Sequence, residues 1–359
     1  MRPFLLVAGA RPNFMKVAPI ARAFRARRVG FRLLHTGQHH DFSLSDVFLK
    51  DLGLGKADFY LDVRSGSHAE TTARILERAE PILQKLKPRA VIVVGDVNST
   101  FAMALAAVKL HLPVAHVEAG LRSRDRTMPE EVNRVLTDMV SELLLTPSPD
   151  GDRNLRSEGV PPRQIVRVGN VMIDSLVHAL GRLPVPSRNG GGDFLLMTFH
   201  RPSNVDSKQG LLRLLSFLEA AAGLLPVQLP VHPRTRARLR ACGLWRRMAA
   251  IPRLALSEPL GYLDFVGRMR SARAVVTDSG GIQEETSYLG IPCLIMRTTT
   301  ERPICIERGT AELIGEDYDG ALKCLSVILR GHWKKGRSIP LWDGCTASRI
   351  VRALTERFC

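Results

Sequence analysis

With 359 residues, 45% of them hydrophobic, the chain has material for the cores of about two ordinary domains, which argues against large-scale disorder. Its 51 Lys and Arg against 35 Asp and Glu leave a net charge of +16, favouring polyanionic partners without saying whether the anion is nucleic acid, membrane or phosphorylated metabolite. No apolar run approaches the ~20 residues needed to span a bilayer, and the six cysteines have neither C-x-x-C nor metal-ligand spacing, so the expectation is a cytoplasmic protein with reduced thiols and no metal.

The opening "FLLVAGA" is a short apolar run followed by Arg11, Pro12 and Lys16 where a signal peptide would place its small-residue cleavage site, so it reads as a first buried strand. "FRLLHT", "AVIVVGD", "PVAHVEAG" and "LLLTP" follow as further strands with helical segments between most of them, the rhythm of a parallel sheet wrapped by helices. After "RQIVRVGNVMIDSL" comes "GRLPVPSRNGGGD", rich in Pro and Gly, which predicts a linker at 181–192 between domains 1–180 and 193–345. The rhythm resumes with "FLLMTFH", "PVQLPVH", "RLALSE", "RAVVTDS" and "PCLIM", predicting a second sheet of the same kind. "ASRIVRALTERF" has helical spacing, and a C-terminal helix at 346–359 is expected to pack back across the domain boundary. The basic stretch Pro233 to Met248 lacks aromatic interleaving and reads as a solvated helix face rather than a nucleic-acid site.

Ligands of open parallel sheets sit beyond the carboxyl ends of the strands, and the unusual residues lie there. The G-x-G-x-x-G fingerprint is absent, which argues against nicotinamide chemistry, and "GHWKKGRS" has Arg337 where a P-loop needs lysine. "TDSGGIQEE" places Ser279, Gly280 and Gly281 at a helix start, where backbone amides cradle phosphate. Glu285, four residues after Gly281, shares its face and reaches a neighbouring diol, whereas Glu284 reads as a complement to the helix dipole. Arg11 and Lys16 flank the first strand-to-helix turn, and His200 and Arg201 in "FHRPSN" can set protonatable and permanent cations beside a diphosphate. Asp96 and Glu118 end hydrophobic strands, and Glu130 with Glu131 opens the helix "PEEVNRVL". Each carboxylate has a structural excuse, but convergence at one edge suggests proton transfer.

Taken together, "GARPNFMKVAPI", "TGQHHD", "GDVNST", "HVEAGLRSRDRTMPEEVNRVLTD", "VGNVMIDSL", "HRPSNVD", "PVHPRTR", "EPLGYLDF", "TDSGGIQEE" and "RTTTERP" closely resemble the non-hydrolysing UDP-N-acetylglucosamine 2-epimerases. The resemblance implies an α/β fold of GT-B type, with two Rossmann-like domains whose parallel sheets face an interdomain cleft. It also implies a homodimer, no cofactor, no membrane or nucleic-acid partner, and a UDP-sugar substrate, UDP-GlcNAc interconverting with UDP-ManNAc in cell-surface polysaccharide biosynthesis. Carried over by position, Asp96, Glu118 and Glu130 match the family's catalytic acids, Arg11 and Lys16 its first basic loop, and His200 the histidine near the diphosphate. Ser279 and Gly280 match the diphosphate cradle and Glu285 the ribose ligand, with Phe265 near the uracil and Arg302 near the cleft. Asn13 stands where many members have Glu, Pro202-Ser203 replaces Arg-Glu, and Asp41 ends a loop that is "QHRQ"-like in members with an activating second substrate. The alternatives are a 2-epimerase for a diacetamido-uronic UDP-sugar, a hydrolysing epimerase, a GT-B glycosyltransferase and, from charge alone, a nucleic-acid-binding protein.

Overall fold

The computed structural model describes residues 2–9, 11–37, 53–63, 66–184 and 192–359, with Arg11 and Pro12 described by their backbone alone. Asp41 and residues 185–191 of the expected linker lie outside the described residues. Contacts divide the chain into two units, Met1–Ser175 with Pro340–Cys359, and Leu176–Ile339.

The first unit is built on seven parallel strands, β1 Phe4–Ala8, β2 Phe31–His35, β3 Phe59–Tyr60, β4 Val91–Val94, β5 Val114–Val117, β6 Leu143–Thr146 and β7 Ile165–Arg167. Their order is β3-β2-β1-β4-β5-β6-β7. A strand alternates its side chains between faces, so Phe4, Leu6 and Ala8 enter one core while Leu5 and Val7 enter another. Both faces must therefore be covered, which is why these strands read as continuous apolar runs. On the first face, the helix Arg11–Ala26 buries Phe14, Val17, Ile20, Ala21 and Phe24. The C-terminal helix Thr346–Phe358 adds Ile350, Val351 and Leu354 to that core. Its start is anchored by Asp174, whose carboxylate accepts from the amides of Thr346 at 3.1 Å and Ala347 at 2.7 Å, the orphan donors of the first turn.

The second unit repeats the plan with six parallel strands, β8 Leu195–Thr198, β9 Val227–Pro230, β10 Leu254–Ser257, β11 Ala274–Thr277, β12 Cys293–Ile295 and β13 Ala311–Leu313. Their order is β10-β9-β8-β11-β12-β13. Each strand expected from the sequence is present. The additional strands β3, β7 and β13 are sheet edges of two or three residues, too short to carry a period. The basic stretch forms two helices, Pro233–Ala241 and Trp245–Ala249, separated at Gly243, whose φ of 69° lies in the left-handed region. Several of its charges are paired locally, Arg234 with Asp206 at 2.5 Å and Arg247 with Glu219 at 3.3 Å. No described helix is long and apolar enough to cross a membrane.

Strand order reverses between β1 and β4 in the first unit and between β8 and β11 in the second. Ligands of doubly wound sheets bind at such switch points, beyond the carboxyl ends of the strands.

Candidate active site

In the first unit the switch point gathers Asn13 and Lys16 from the helix after β1, Gly95 and Asp96 from the end of β4, and Glu118 from the end of β5. Gly95 has a φ of 72°, and the place a Cβ would take lies 3.3 Å from Asn13 Nδ2, 3.3 Å from Lys16 Nζ and 3.4 Å from Glu118 Oε2. A side chain there would fill the space in which Lys16 forms its ion pair with Glu118. Asn13 donates to the Val94 carbonyl at 2.7 Å, so its side chain helps hold the end of β4. Glu118 is buried, yet it adopts a φ of 70°, a conformation that L residues with a side chain rarely take. Such strain costs about 1–3 kcal/mol and persists where the surroundings over-determine it, most often at sites of function.

Asp96 keeps 29% of its side chain exposed, and its Oδ2 accepts from Arg134 Nη2 at 2.6 Å and Nε at 3.0 Å. Arg134 also pairs with Glu131 at 2.7 Å. Glu131 is a buried structural carboxylate, accepting from the amides of Ser123 and Arg124 at 2.9 Å each. Burial alone would raise its pKa, but those amides and Arg134 hold it below the usual range. Glu130 is half-buried and has no hydrogen bond or ion pair among the described residues. It precedes Asn133 and Arg134 by three and four residues and so shares the helix face from which Asn133 donates to the Asp96 carbonyl at 2.9 Å. The structure thus pairs Glu118 with Lys16, ties Asp96 to Arg134, and sets Glu130 on the helix face that carries Arg134.

The second unit places its candidates around Asp278, fully buried after β11. Asp278 accepts from the amides of His200 at 2.9 Å and Arg201 at 2.8 Å, from Asn204 Nδ2 at 3.1 Å, and from His200 Nδ1 at 2.8 Å. Burial pushes its carboxyl upward, but His200 and these donors hold it below the carboxylate range. A histidine whose Nδ1 faces a carboxylate has Nε2 left for a ligand. The helix Gly280–Leu289 starts where the sequence placed it, with Ser279 as N-cap. The Ser279 amide donates to Thr277 Oγ1 at 3.0 Å, so the amides with no intrahelical carbonyl to bond at this helix start belong to Gly280, Gly281 and Ile282, and Ser279 offers its hydroxyl.

The two glycines differ. A Cβ at Gly280 would meet Glu301 Oε1 at 2.7 Å and Arg302 Nη1 at 3.2 Å, whereas one at Gly281 would meet nothing within 4 Å. Gly280→Ala is therefore expected to destabilise the protein by about 1–3 kcal/mol through overpacking. Gly281→Ala should raise its stability by about 0.4–1 kcal/mol while weakening the binding of a phosphate-bearing ligand, since only a ligand would meet the added methyl. Chemical denaturation and calorimetric titration of both variants check this. Unchanged affinity in Gly281→Ala would remove the glycine from the cradle.

Glu284 and Glu285 have different partners. Buried Glu284 pairs with Arg302 Nε at 2.6 Å, and Arg302 also pairs with Glu301, which fixes Arg302 within an ion cluster. Glu285 accepts from the Tyr262 hydroxyl at 2.7 Å. Burial pushes its carboxyl up to about 7, with the Glu284 charge adding and the Tyr262 hydrogen bond opposing. Half-buried Phe265 follows Tyr262 by one helical turn, on the same side of the helix Tyr262–Ser271.

Sequence reasoning did not single out Arg134, His116, Asp138, Asp278 or Tyr262. Asp278 stood inside the quoted "TDSGG" and could have been found as a strand-end carboxylate. The others become visible only when their partners on other elements are known.

A family model described as UDP-N-acetylglucosamine 2-epimerase matches residues 22–355. The chain is 36% identical to a UDP-N-acetylglucosamine 2-epimerase of Methanocaldococcus jannaschii, covering 98% of both chains. It is 40% identical to a UDP-2,3-diacetamido-2,3-dideoxy-D-glucuronate 2-epimerase of Pseudomonas aeruginosa, covering 88% of this chain and 89% of that one. Among solved structures, the M. jannaschii UDP-GlcNAc 2-epimerase in complex with UDP-GlcNAc and UDP superposes with a TM-score of 0.89 at 35% identity, covering 99% of each chain. A lipopolysaccharide outer core galactosyltransferase at 15% identity, with a TM-score of 0.54 over 99% of this chain and 95% of that one, shares the fold alone. The fold is α/β of GT-B type.

Proposed function

The chain belongs to the UDP-N-acetylglucosamine 2-epimerase family, and from that premise we propose that it interconverts UDP-GlcNAc and UDP-ManNAc without net hydrolysis. The observation that carries the reading is Glu118, buried, strained at a φ of 70° and paired with Lys16 at the switch point of the first sheet.

The proton on C2 of the sugar is poorly acidic, because its neighbour is an amide nitrogen rather than a carbonyl. Departure of UDP from C1 as the C2 proton passes to a carboxylate of the enzyme gives 2-acetamidoglucal. Re-addition of UDP at C1, with a proton delivered to the other face of C2, gives the epimer. Atoms and charge balance at the starting oxidation level, so no redox cofactor enters. Asp96, Glu118 and Glu130 are assigned the proton transfers. Arg11, Lys16, His200, Arg201, Ser279 and the amides of Gly280 and Gly281 are assigned the charge on the departing diphosphate. Glu285 takes the ribose diol and Phe265 the uracil, while Arg302 acts by holding the Glu301–Arg302 segment against Gly280. The reading carries with it a cytoplasmic homodimer serving cell-surface polysaccharide synthesis, with no nucleic acid or membrane among its partners.

The 40% identity to the diacetamido-uronate epimerase favours a second substrate within the same chemistry. Proton NMR of the purified protein with each UDP-sugar separates the two. UDP-GlcNAc should approach an equilibrium with UDP-ManNAc with no accumulation of free ManNAc. Turnover of the uronate alone would move the assignment to the second sugar, and release of free ManNAc would make the enzyme hydrolysing.

A further inference from the structure

His116 lies inside β5, fully buried, where a histidine is ordinarily a satisfied core residue. What it touches is not ordinary. One ring nitrogen, Nε2, faces the Gly95 carbonyl at 2.9 Å, immediately before Asp96. The other, Nδ1, faces Asp138 Oδ1 at 2.6 Å. The second oxygen of Asp138 accepts from the Gly120 amide at 3.0 Å, two residues beyond Glu118, and pairs with Arg122 at 2.7 Å. Two buried side chains therefore tie down the backbone next to Asp96 and the backbone just after the strained Glu118. Asp138 comes from the helix Pro129–Val140, four residues after Arg134, so the face that carries Glu130 and binds Asp96 through Asn133 and Arg134 also ends in this clamp.

We infer that His116 and Asp138 are positioning residues that hold Asp96 and Glu118 in their reactive placement, an inference that rests on the epimerase reading. A left-handed Glu118 relaxes unless its neighbours prevent it, and the bond from Gly120 to Asp138 holds the chain on its far side. Asp138 can hold that post as an anion. Burial pushes its carboxyl upward, but His116 and Arg122 keep it below the usual range. An amide in its place accepts through one oxygen only, so it cannot serve His116, Gly120 and Arg122 together.

The test compares Asp138→Asn and His116→Gln with Glu158→Gln. The control frees the outer end of Arg122, where Glu158 bonds at 2.6 and 2.9 Å, without touching Gly95 or Gly120. In the two clamp variants kcat for UDP-GlcNAc should fall roughly 10- to 30-fold, with KM within about twofold of the parent, because misplaced groups lose rate rather than binding. Incorporation of solvent deuterium at C2 should fall in step. The control should lose stability alone. Equal kcat in clamp and control variants, or a loss of kcat that follows only the folded fraction, overturns the inference. If Asp138→Asn does not fold, His116→Gln, which keeps an N–H donor, carries the comparison. If the parent protein turns over neither UDP-sugar, the epimerase reading fails. The placement is then decided by the crystal structure of a clamp variant, where a Glu118 φ still near +70° rejects the clamp and a relaxed φ supports it.

Discussion

Epimerisation in D2O is expected to give product bearing deuterium at C2, and Asp96→Asn, Glu118→Gln and Glu130→Gln are each expected to slow turnover at least ~100-fold. A mechanism that breaks C1–O and C2–H must lose the sugar proton to an enzyme group, and exchange of that group with solvent before the proton returns marks the loss. The amide variants keep size while removing the base. They should leave UDP binding largely intact, because most of the proposed nucleotide ligands, from His200 to Glu285, stand in the second unit, and a variant unable to re-protonate should leak 2-acetamidoglucal and UDP. Their environments predict different side effects. Glu118→Gln removes the partner of Lys16 and leaves a half-buried ammonium, so it should also cost stability. Glu130 has no partner among the described residues, so Glu130→Gln should cost no more than the ~0.3–1 kcal/mol of a charge at a helix start. Full turnover in all three variants, or retention of the original C2 proton in D2O, would overturn the mechanism while leaving the fold untouched.

The strands that carry these groups were legible because a parallel sheet buried on both faces writes itself as runs such as "AVIVV", and the first polar residue after such a run marks the strand's carboxyl end. Asp96 and Glu118 are legible that way, His200 by its place just beyond a strand, and Ser279 by the glycines of the helix start that follows it. The helix start at Gly280 was legible from its glycines. The partners were not. That His116 meets Asp138, or Tyr262 meets Glu285, depends on which helix face turns toward which strand end, and periodicity gives the helix without its rotation against the sheet. Glu118 reads in sequence as an ordinary strand-end acid, because a positive φ leaves no compositional trace unless glycine provides it. Glu130 and Glu131 show the same limit from the other side. Adjacent and chemically identical, they diverge only because one faces the Ser123 and Arg124 amides. The edge strands escaped because two or three residues hold no period at all.

The affinity for UDP-GlcNAc is expected to be highest above pH 7 and to fall as pH drops through that value, with a slope approaching tenfold per unit at the acid end. The cause is Glu285, whose carboxyl burial pushes from 4.5 up to about 7. A ribose diol donates two hydrogen bonds, and only the ionised carboxylate accepts both on its oxygens without keeping a proton between them. The ligand therefore selects the charged form, draws its pKa down, and releases a proton on binding in the acid range. UDP-GlcNAc is the right probe because its diphosphate is esterified at both ends and does not titrate near 7, as the terminal phosphate of UDP does. Stability of the unliganded protein should run the opposite way. A carboxyl raised in the folded state contributes stability fully present below its unfolded value of 4.5 and lost as pH rises through about 7. Glu285→Gln should flatten the affinity profile and weaken binding at pH 8 by about 1–3 kcal/mol, the range for a buried charge-assisted hydrogen bond. Tyr262→Phe removes the hydrogen bond that opposes the shift and should move the midpoint above 7. Glu284→Gln, which alters the Arg302 ion cluster and removes the charge that adds to the shift, should cost stability and lower the midpoint, with little change in affinity at pH 8. Calorimetric titration in buffers of different ionisation enthalpy reads both the affinity and the released proton. A profile flat between pH 5.5 and 8, or equal small losses in the two glutamate variants, would return Glu285 to a structural role and leave the ribose without its assigned ligand.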